Sequence, residues 1–387
     1  MSGGPSRRDF ILIPLVSLAT VIVMMLAAEL TSRLTFVESG SETCGDITGL
    51  QGWRSKPNCV SRRKSAEGPM VENSYNDCGY RTPTPCGTRA PGVLRVALMG
   101  TSIAEGFKVR YEETFAARLT ESLSRACGRP VEFQNMGLPS SMLDVYRRTD
   151  EALAMRPDVI MVVASAVDLK ERMSRADIAG RDDPPAPPKP RPPAEAVPSQ
   201  SLVARLSDLA VNSRALVAAQ HFLFQDNATY VRLYMMHGED ADYLRPPLTQ
   251  AWRERLDDLG VLLGGIAAKA RSRGVPVLMI WSPTRIQAAL LTGTTRPSDA
   301  DPFVADRYFA EVAARSGAAF VDTLHAFQGQ VAPERFFYAV DGHMNGEGSA
   351  VFAAAIEKRL AQGDIAPFSG CAFPSSGDGL RAASASK

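Results

Sequence analysis

What this sequence most lacks is an excess of charge. Its 43 lysines and arginines face 42 aspartates and glutamates, a formal net charge of +1 over 387 residues. A surface that holds a polyphosphate chain shows as a basic excess or patch, so no nucleic acid is expected as a partner. Histidine is also scarce. The four, His221, His237, His325 and His343, form no cluster with cysteine or carboxylate at ligand spacing, so no metal is expected. Single glycines near strand ends do not make a phosphate-binding loop, and no cofactor is expected.

What is present begins at the N-terminus. Phe10 to Ala28 carries no charge. At 1.5 Å per residue it spans about 28 Å, close to the hydrocarbon thickness of a bilayer. Arg7 and Arg8 precede it, which predicts a cytoplasmic N-terminus and a translocated remainder: a single-pass inner-membrane protein with a periplasmic domain. A cleaved signal peptide is the alternative, although LAAE at 26–29 is a poor cleavage site, and SRRDF at 6–10 also resembles a twin-arginine export signal. The cysteines fit export. Cys44, Cys59, Cys78 and Cys86 lie close together, whereas Cys127 and Cys371 are isolated. In an oxidising compartment two local bridges are expected within 44–86, with three pairings open.

The rest divides by texture. Residues 1–30 are the N-terminus and anchor, and 31–92 a loop-rich, cysteine-containing neck without sustained periodicity. Residues 93–365 form the main domain, with a proline-rich insertion and lid element at 169–247, and 366–387 form a loose tail unless Cys371 pins it. In the main domain, apolar β-branched runs at 94–99, 131–135, 159–164, 275–281 and 318–323 read as strands. Helical patterns cover 113–127, 142–155, 248–272, 301–316 and 348–362, and 201–224 reads as an amphipathic helix. Nearly unbroken apolar strands alternating with helices predict an α/β fold with a parallel sheet of about five strands, covered on both faces.

Ligands of such sheets bind outside the carboxyl ends of the strands. Ser102 stands there, in VALMGTSIAEG, just past the first strand. A serine hydroxyl needs a base to become a nucleophile. His343 is the candidate, because it lies in YAVDGHMNGEG with Asp341 two residues before it, and a carboxylate can fix a histidine's tautomer.

These blocks resemble the SGNH, or GDSL-type, hydrolase superfamily over about 94–360. Gly100-Thr101-Ser102 with Gly106 stands where that family has Gly-Asp-Ser with a following glycine. Asn135-Met136-Gly137 matches its second block, and Ser165-Ala166-Val167-Asp168 its Gly-x-Asn-Asp. Asp341-Gly342-His343 resembles the Asp-x-His version of membrane-anchored members. The resemblance implies a three-layer, doubly wound, flavodoxin-like sheet. It implies Ser102 as nucleophile, His343 as base and Asp341 as the residue that orients it, with the Ser102 and Gly137 amides facing the oxyanion. Val167 replaces the asparagine that normally donates to that oxyanion.

The reading is therefore a membrane-anchored periplasmic esterase or O-acyltransferase. Its expected partners are an acyl-ester substrate, for which an ester of envelope or secreted polysaccharide is a candidate, and the inner membrane through residues 10–28. The competing reading is a catalytically inactive protein of the same fold that holds glycan or assists polysaccharide assembly. Val167 is its main support.

Overall fold

A computed structural model describes residues 9–40, 44–46, 54–170, 173–183, 213–292 and 296–373. Residues 184–212, with most of the proline-dense stretch 181–198 and the first half of the expected helix 201–224, and the tail beyond 373 lie outside the described residues.

The strands are β1 (Ser39–Gly40), β2 (Gly45–Asp46), β3 (Arg54–Ser55), β4 (Val60–Lys64), β5 (Met70–Ser74), β6 (Leu94–Gly100), β7 (Val131–Asn135), β8 (Val159–Ser165), β9 (Val277–Ser282) and β10 (Ala319–Asp322). The α-helices are α1 (Asp9–Thr35), α2 (Ser102–Glu105), α3 (Phe115–Cys127), α4 (Met142–Arg147), α5 (Thr149–Ala154), α6 (Arg175–Ala179), α7 (Arg214–Leu223), α8 (Asn227–Met235), α9 (Gln250–Arg271), α10 (Arg285–Leu290), α11 (Val304–Arg315), α12 (Leu324–Gln328) and α13 (Gly346–Leu360).

Five strands form the central sheet in the order β10-β9-β8-β6-β7, every neighbouring pair parallel. This is the flavodoxin-like order. Alternation along β6 explains the layers: Leu94, Val96 and Leu98 face one apolar cluster, Ala97 and Met99 the other. The first cluster takes Phe115, Leu119 and Leu123 of α3 and Phe352 and Ile356 of α13. The second takes Trp252, Leu259 and Leu263 of α9 and Phe309 of α11. The order reverses at β6, so a crevice opens between the carboxyl ends of β6 and β8, where such sheets bind ligands.

Three expectations change in detail. The helix expected over 142–155 is two helices, α4 and α5, broken at Arg148, where ψ is 5°. Arg148 Nη1 donates to Met136 O at 2.7 Å, and Thr149 Oγ1 donates back to Tyr146 O. The helix expected over 201–224 is described only from Arg214. The neck is not all loop. β1, β4 and β5 form an antiparallel sheet whose largely exposed strands, such as VSRRK, give no apolar alternation to read.

The cysteines form three disulfides: Cys44–Cys59, Cys78–Cys86 and, unforeseen, Cys127–Cys371. α1 is long and apolar enough to cross a membrane, and its apolar window is unburied. Its far end meets the body of the protein: Glu29 accepts hydrogen bonds from Ser213 Oγ, Arg214 N and Ala215 N at the start of α7.

One core carboxyl makes stability depend on pH. Asp306 of α11 accepts a hydrogen bond from Gln287 Nε2 at 2.7 Å, while its Oδ1 has no partner among the described residues. Burial, with Asp322 nearby, pushes its pKa up to about 8. The unfolded value is about 3.9, so the protonated fold is favoured at low pH and this contribution is lost as pH rises from about 4 to about 8. Asp306→Asn keeps an acceptor for Gln287 and cannot ionise. The variant is expected to melt several degrees higher than wild type at pH 9, at about 2–4 °C per kcal/mol for a domain of this size class, with little difference at pH 4. Equal pH slopes in calorimetry would refute the assignment.

Candidate active site

Ser102 opens α2 immediately after β6. Gly100 makes the turn possible: its φ is 152°, and a Cβ there would lie 2.7 Å from both Ala104 Cβ and Val163 O. As the first helical residue, Ser102 has a backbone N–H without an intrahelical partner. Thr101 turns away, its hydroxyl donating to Asp168 Oδ1 at 2.5 Å, and Asp168 Oδ2 accepts from Ser165 N. Burial raises the Asp168 carboxyl despite those donors.

The base comes from the far end of the chain. Ser102 Oγ lies 2.8 Å from His343 Nε2, and His343 Nδ1 lies 2.6 Å from Asp341 Oδ1. A carboxylate only accepts, so Nδ1 carries the proton, and Nε2 of the neutral ring is left to accept from Ser102. The His343 and Asp341 side chains are 20% and 23% exposed. Burial alone would raise the Asp341 carboxyl. The hydrogen bond and charge interaction with His343, then Lys108, outweigh it and hold the carboxyl well below the usual range. Asp341 is therefore ionised throughout the neutral range. Lys108 Nζ meets its second oxygen at 2.6 Å, and the Phe107 ring packs 5.1 Å from the His343 ring.

A cavity of about 290 Å³ opens beside Ser102, walled by Val167, Tyr230, Tyr234, Arg285 and His343. Arg285 is buried. It donates to Phe224 O and Ala339 O and lies 3.6 Å over the Tyr230 ring, tying the helices beyond the insertion to the turn that carries Asp341.

The two remaining site residues stand differently. Val167 lines the cavity and is 46% exposed. Gly137 packs against the back of α2, where a Cβ would fall 2.1 Å from Glu105 N. Its N–H, expected to face the oxyanion, donates to Asn135 Oδ1 at 2.9 Å, while Asn135 Nδ2 donates to Ala104 O. Asn135 thus closes a turn on the amide two residues ahead and pins it to the nucleophile helix.

Of the other histidines, His221 bonds Glu67, His237 bonds Leu233 O and also lines the cavity, and His325 pairs with Asp322. Among the described residues Asp77, Cys78 and Cys86 lie close enough to share a metal ion, but both thiols are in a disulfide. Lys108, Glu67 and Arg285 had no sequence signal. Each acts on a partner more than 50 residues away, and no local pattern marks it.

The model of the GDSL-like Lipase/Acylhydrolase family matches residues 98–351. No curated protein matches the chain. Among solved structures, TesA is 13% identical, with 69% of this chain and 98% of that one covered and a TM-score of 0.40. A catalytic mutant of Axe2, an acetylxylan esterase from Geobacillus stearothermophilus, is 13% identical, covering 69% and 93%, with a TM-score of 0.38. The lipase/acylhydrolase from Enterococcus faecalis is 12% identical, covering 73% and 100%, with a TM-score of 0.38.

Proposed function

The chain belongs to the GDSL-like lipase/acylhydrolase family, and from that premise we propose a membrane-anchored, periplasmic esterase or O-acyltransferase that uses Ser102, His343 and Asp341. One observation carries the reading: the unbroken path from Ser102 Oγ through His343 to Asp341, at 2.8 and 2.6 Å, on a cavity wall. His343 Nε2 takes the Ser102 proton as Oγ attacks the acyl carbonyl. Asp341 stabilises the imidazolium, which then protonates the departing alkoxide. Water or a sugar hydroxyl, deprotonated by His343, releases the acyl group from Ser102. With α1 as the anchor, the substrates within reach are acyl esters of envelope or secreted polysaccharide.

A membrane-impermeant fluorophosphonate applied to spheroplasts tests site and orientation together. Labelling of Ser102 on intact spheroplasts is the expected result. Labelling only after permeabilisation would reverse the orientation, and none in either case would reject the nucleophile.

The glycan-holding alternative draws on the oxyanion side. Val167 cannot donate, and the Gly137 amide is engaged by Asn135, which leaves the Ser102 N–H as donor. Val167→Asn offers a second. A well-placed donor is worth about 10²–10³ in turnover and an unoptimised one less, so a gain of about tenfold on an aryl acetate is expected. A folded Val167→Asn protein without Ser102-dependent activity would favour the glycan-holding reading.

A further inference from the structure

Glu67 lies in the neck, far in sequence from the site, yet its side chain is only 3% exposed. It is fully engaged. Oε2 accepts the Asp341 N–H at 2.9 Å and the Val340 N–H at 3.0 Å, and Oε1 faces His221 Nδ1 at 2.7 Å. A carboxylate taken out of water is tolerated where several donors meet it, as they do here. The segment it grips is the turn from Tyr338 to His343, closed by Tyr338 N to His343 O and Gly342 N to Tyr338 O. Within it the His343 N–H also donates to Asp341 Oδ1 at 3.2 Å, and from outside the turn is held by Glu67, by the Tyr338 hydroxyl on Lys108 O, by Arg285 on Ala339 O and by Lys108 Nζ on Asp341 Oδ2. Glu67 alone among these grips the backbone N–H of Asp341 itself.

We propose that Glu67 is a positioning residue of the active site: it sets the Asp341 backbone so that Oδ1 meets His343 Nδ1. The inference rests on the Ser102–His343–Asp341 reading. It makes the neck a working part of the site, not a spacer. His221 holds the other face of Glu67 from α7, the helix whose start is capped by Glu29 of α1. A second neck residue serves the nucleophile side: buried Arg81 donates to the carbonyls of Glu105, Gly106 and Val109 around the end of α2. The neck thus grips both halves of the site.

The test uses the full chain in detergent, a fluorophosphonate and an aryl acetate. Glu67→Ala is expected to slow labelling of Ser102, and to lower kcat, by about 10-fold to 10²-fold, since a small misplacement of a catalytic group costs that much. The final labelling stoichiometry and KM should stay near wild type. Glu67→Gln is expected to recover most of the rate, because its carbonyl can accept both amides while its NH2 donates to His221 in the other tautomer. Glu67→Asp keeps the charge but withdraws the oxygens from the turn, and should be slow; it is the second variant should Glu67→Ala not fold. Wild-type rates in Glu67→Ala, or a rate that falls only in proportion to stoichiometry, overturn the proposal. So does a Gln variant as slow as Ala. Wild type that never labels fails the Ser102 reading alone. Amide exchange at Val340 and Asp341 then reads the grip directly: faster exchange in Glu67→Ala supports it, and unchanged exchange overturns it.

Discussion

Ser102→Ala is expected to lower turnover of an aryl acetate by at least about 10³-fold and to abolish fluorophosphonate labelling, with the unfolding midpoint little changed. His343→Ala should cost as much. The double variant should be no worse than either single one, because nucleophile and base act as a unit and their losses do not add. The geometry supports this expectation: the 2.8 Å contact leaves the Ser102 hydroxyl one acceptor that is itself oriented, and that orientation comes from Asp341. Asp341→Asn should be slow for a different reason. An amide can donate to Nδ1 and so stabilise the wrong tautomer, which turns the Nε2 proton toward Ser102. Lys108 Nζ on the second Asp341 oxygen favours the asparagine oxygen facing Lys108 and its NH2 facing the ring, the harmful orientation. Additive losses in the double variant would show that Ser102 and His343 do not work together.

The central sheet was legible because its strands are buried on both faces. VIMVVA reads as an unbroken apolar run and LRVALM as one interrupted only by Arg95, and every residue of β6 and β8 is buried. Their carboxyl ends then locate Ser102 and the Ser165–Asp168 block without further information. His343 and Asp341 were legible because two residues of separation in a glycine-containing turn is a local relation. What could not be read were relations across the fold. Glu67 touches Asp341 over 274 residues of chain, and Lys108 over 233. The engagement of the Gly137 amide is hidden for a subtler reason: its competitor, Asn135, belongs to the same block. The neck strands escaped because an edge of charged, exposed residues carries no period of burial. Cys127 and Cys371 looked isolated because only the closing of the fold brings them together.

Breaking that last bridge is expected to be the costliest disulfide loss. Cys127 ends α3 and Cys371 lies 244 residues later, so the bridge closes nearly the whole sheet domain into one loop. Loop-closure entropy puts its contribution at about 5 kcal/mol, against roughly 2.5 kcal/mol for a loop the size of Cys78–Cys86 and about 3 kcal/mol for one the size of Cys44–Cys59. Packing adds to the entropic term. Phe368, fully buried in the α3–α13 layer, lies three residues before Cys371, and Ala372 N donates to Ala126 O at 2.7 Å. Without the covalent tie the segment from Ile365 onward keeps these contacts, the burial of Ile365 and the Arg129 hydrogen bond to Pro367 O. A Cys127→Ser/Cys371→Ser protein should therefore unfold at clearly lower urea than wild type, and lower than Cys78→Ser/Cys86→Ser. Its kcat should not move. Cys127 precedes β7 and sits at the amino edge of the sheet, whereas Ser102, Val167 and Ser282 gather at the carboxyl edge. A variant pair with equal urea midpoints would show that the long bridge constrains an unfolded chain already compact. A fall in kcat at temperatures where the variant is folded would show that the two edges of the sheet communicate.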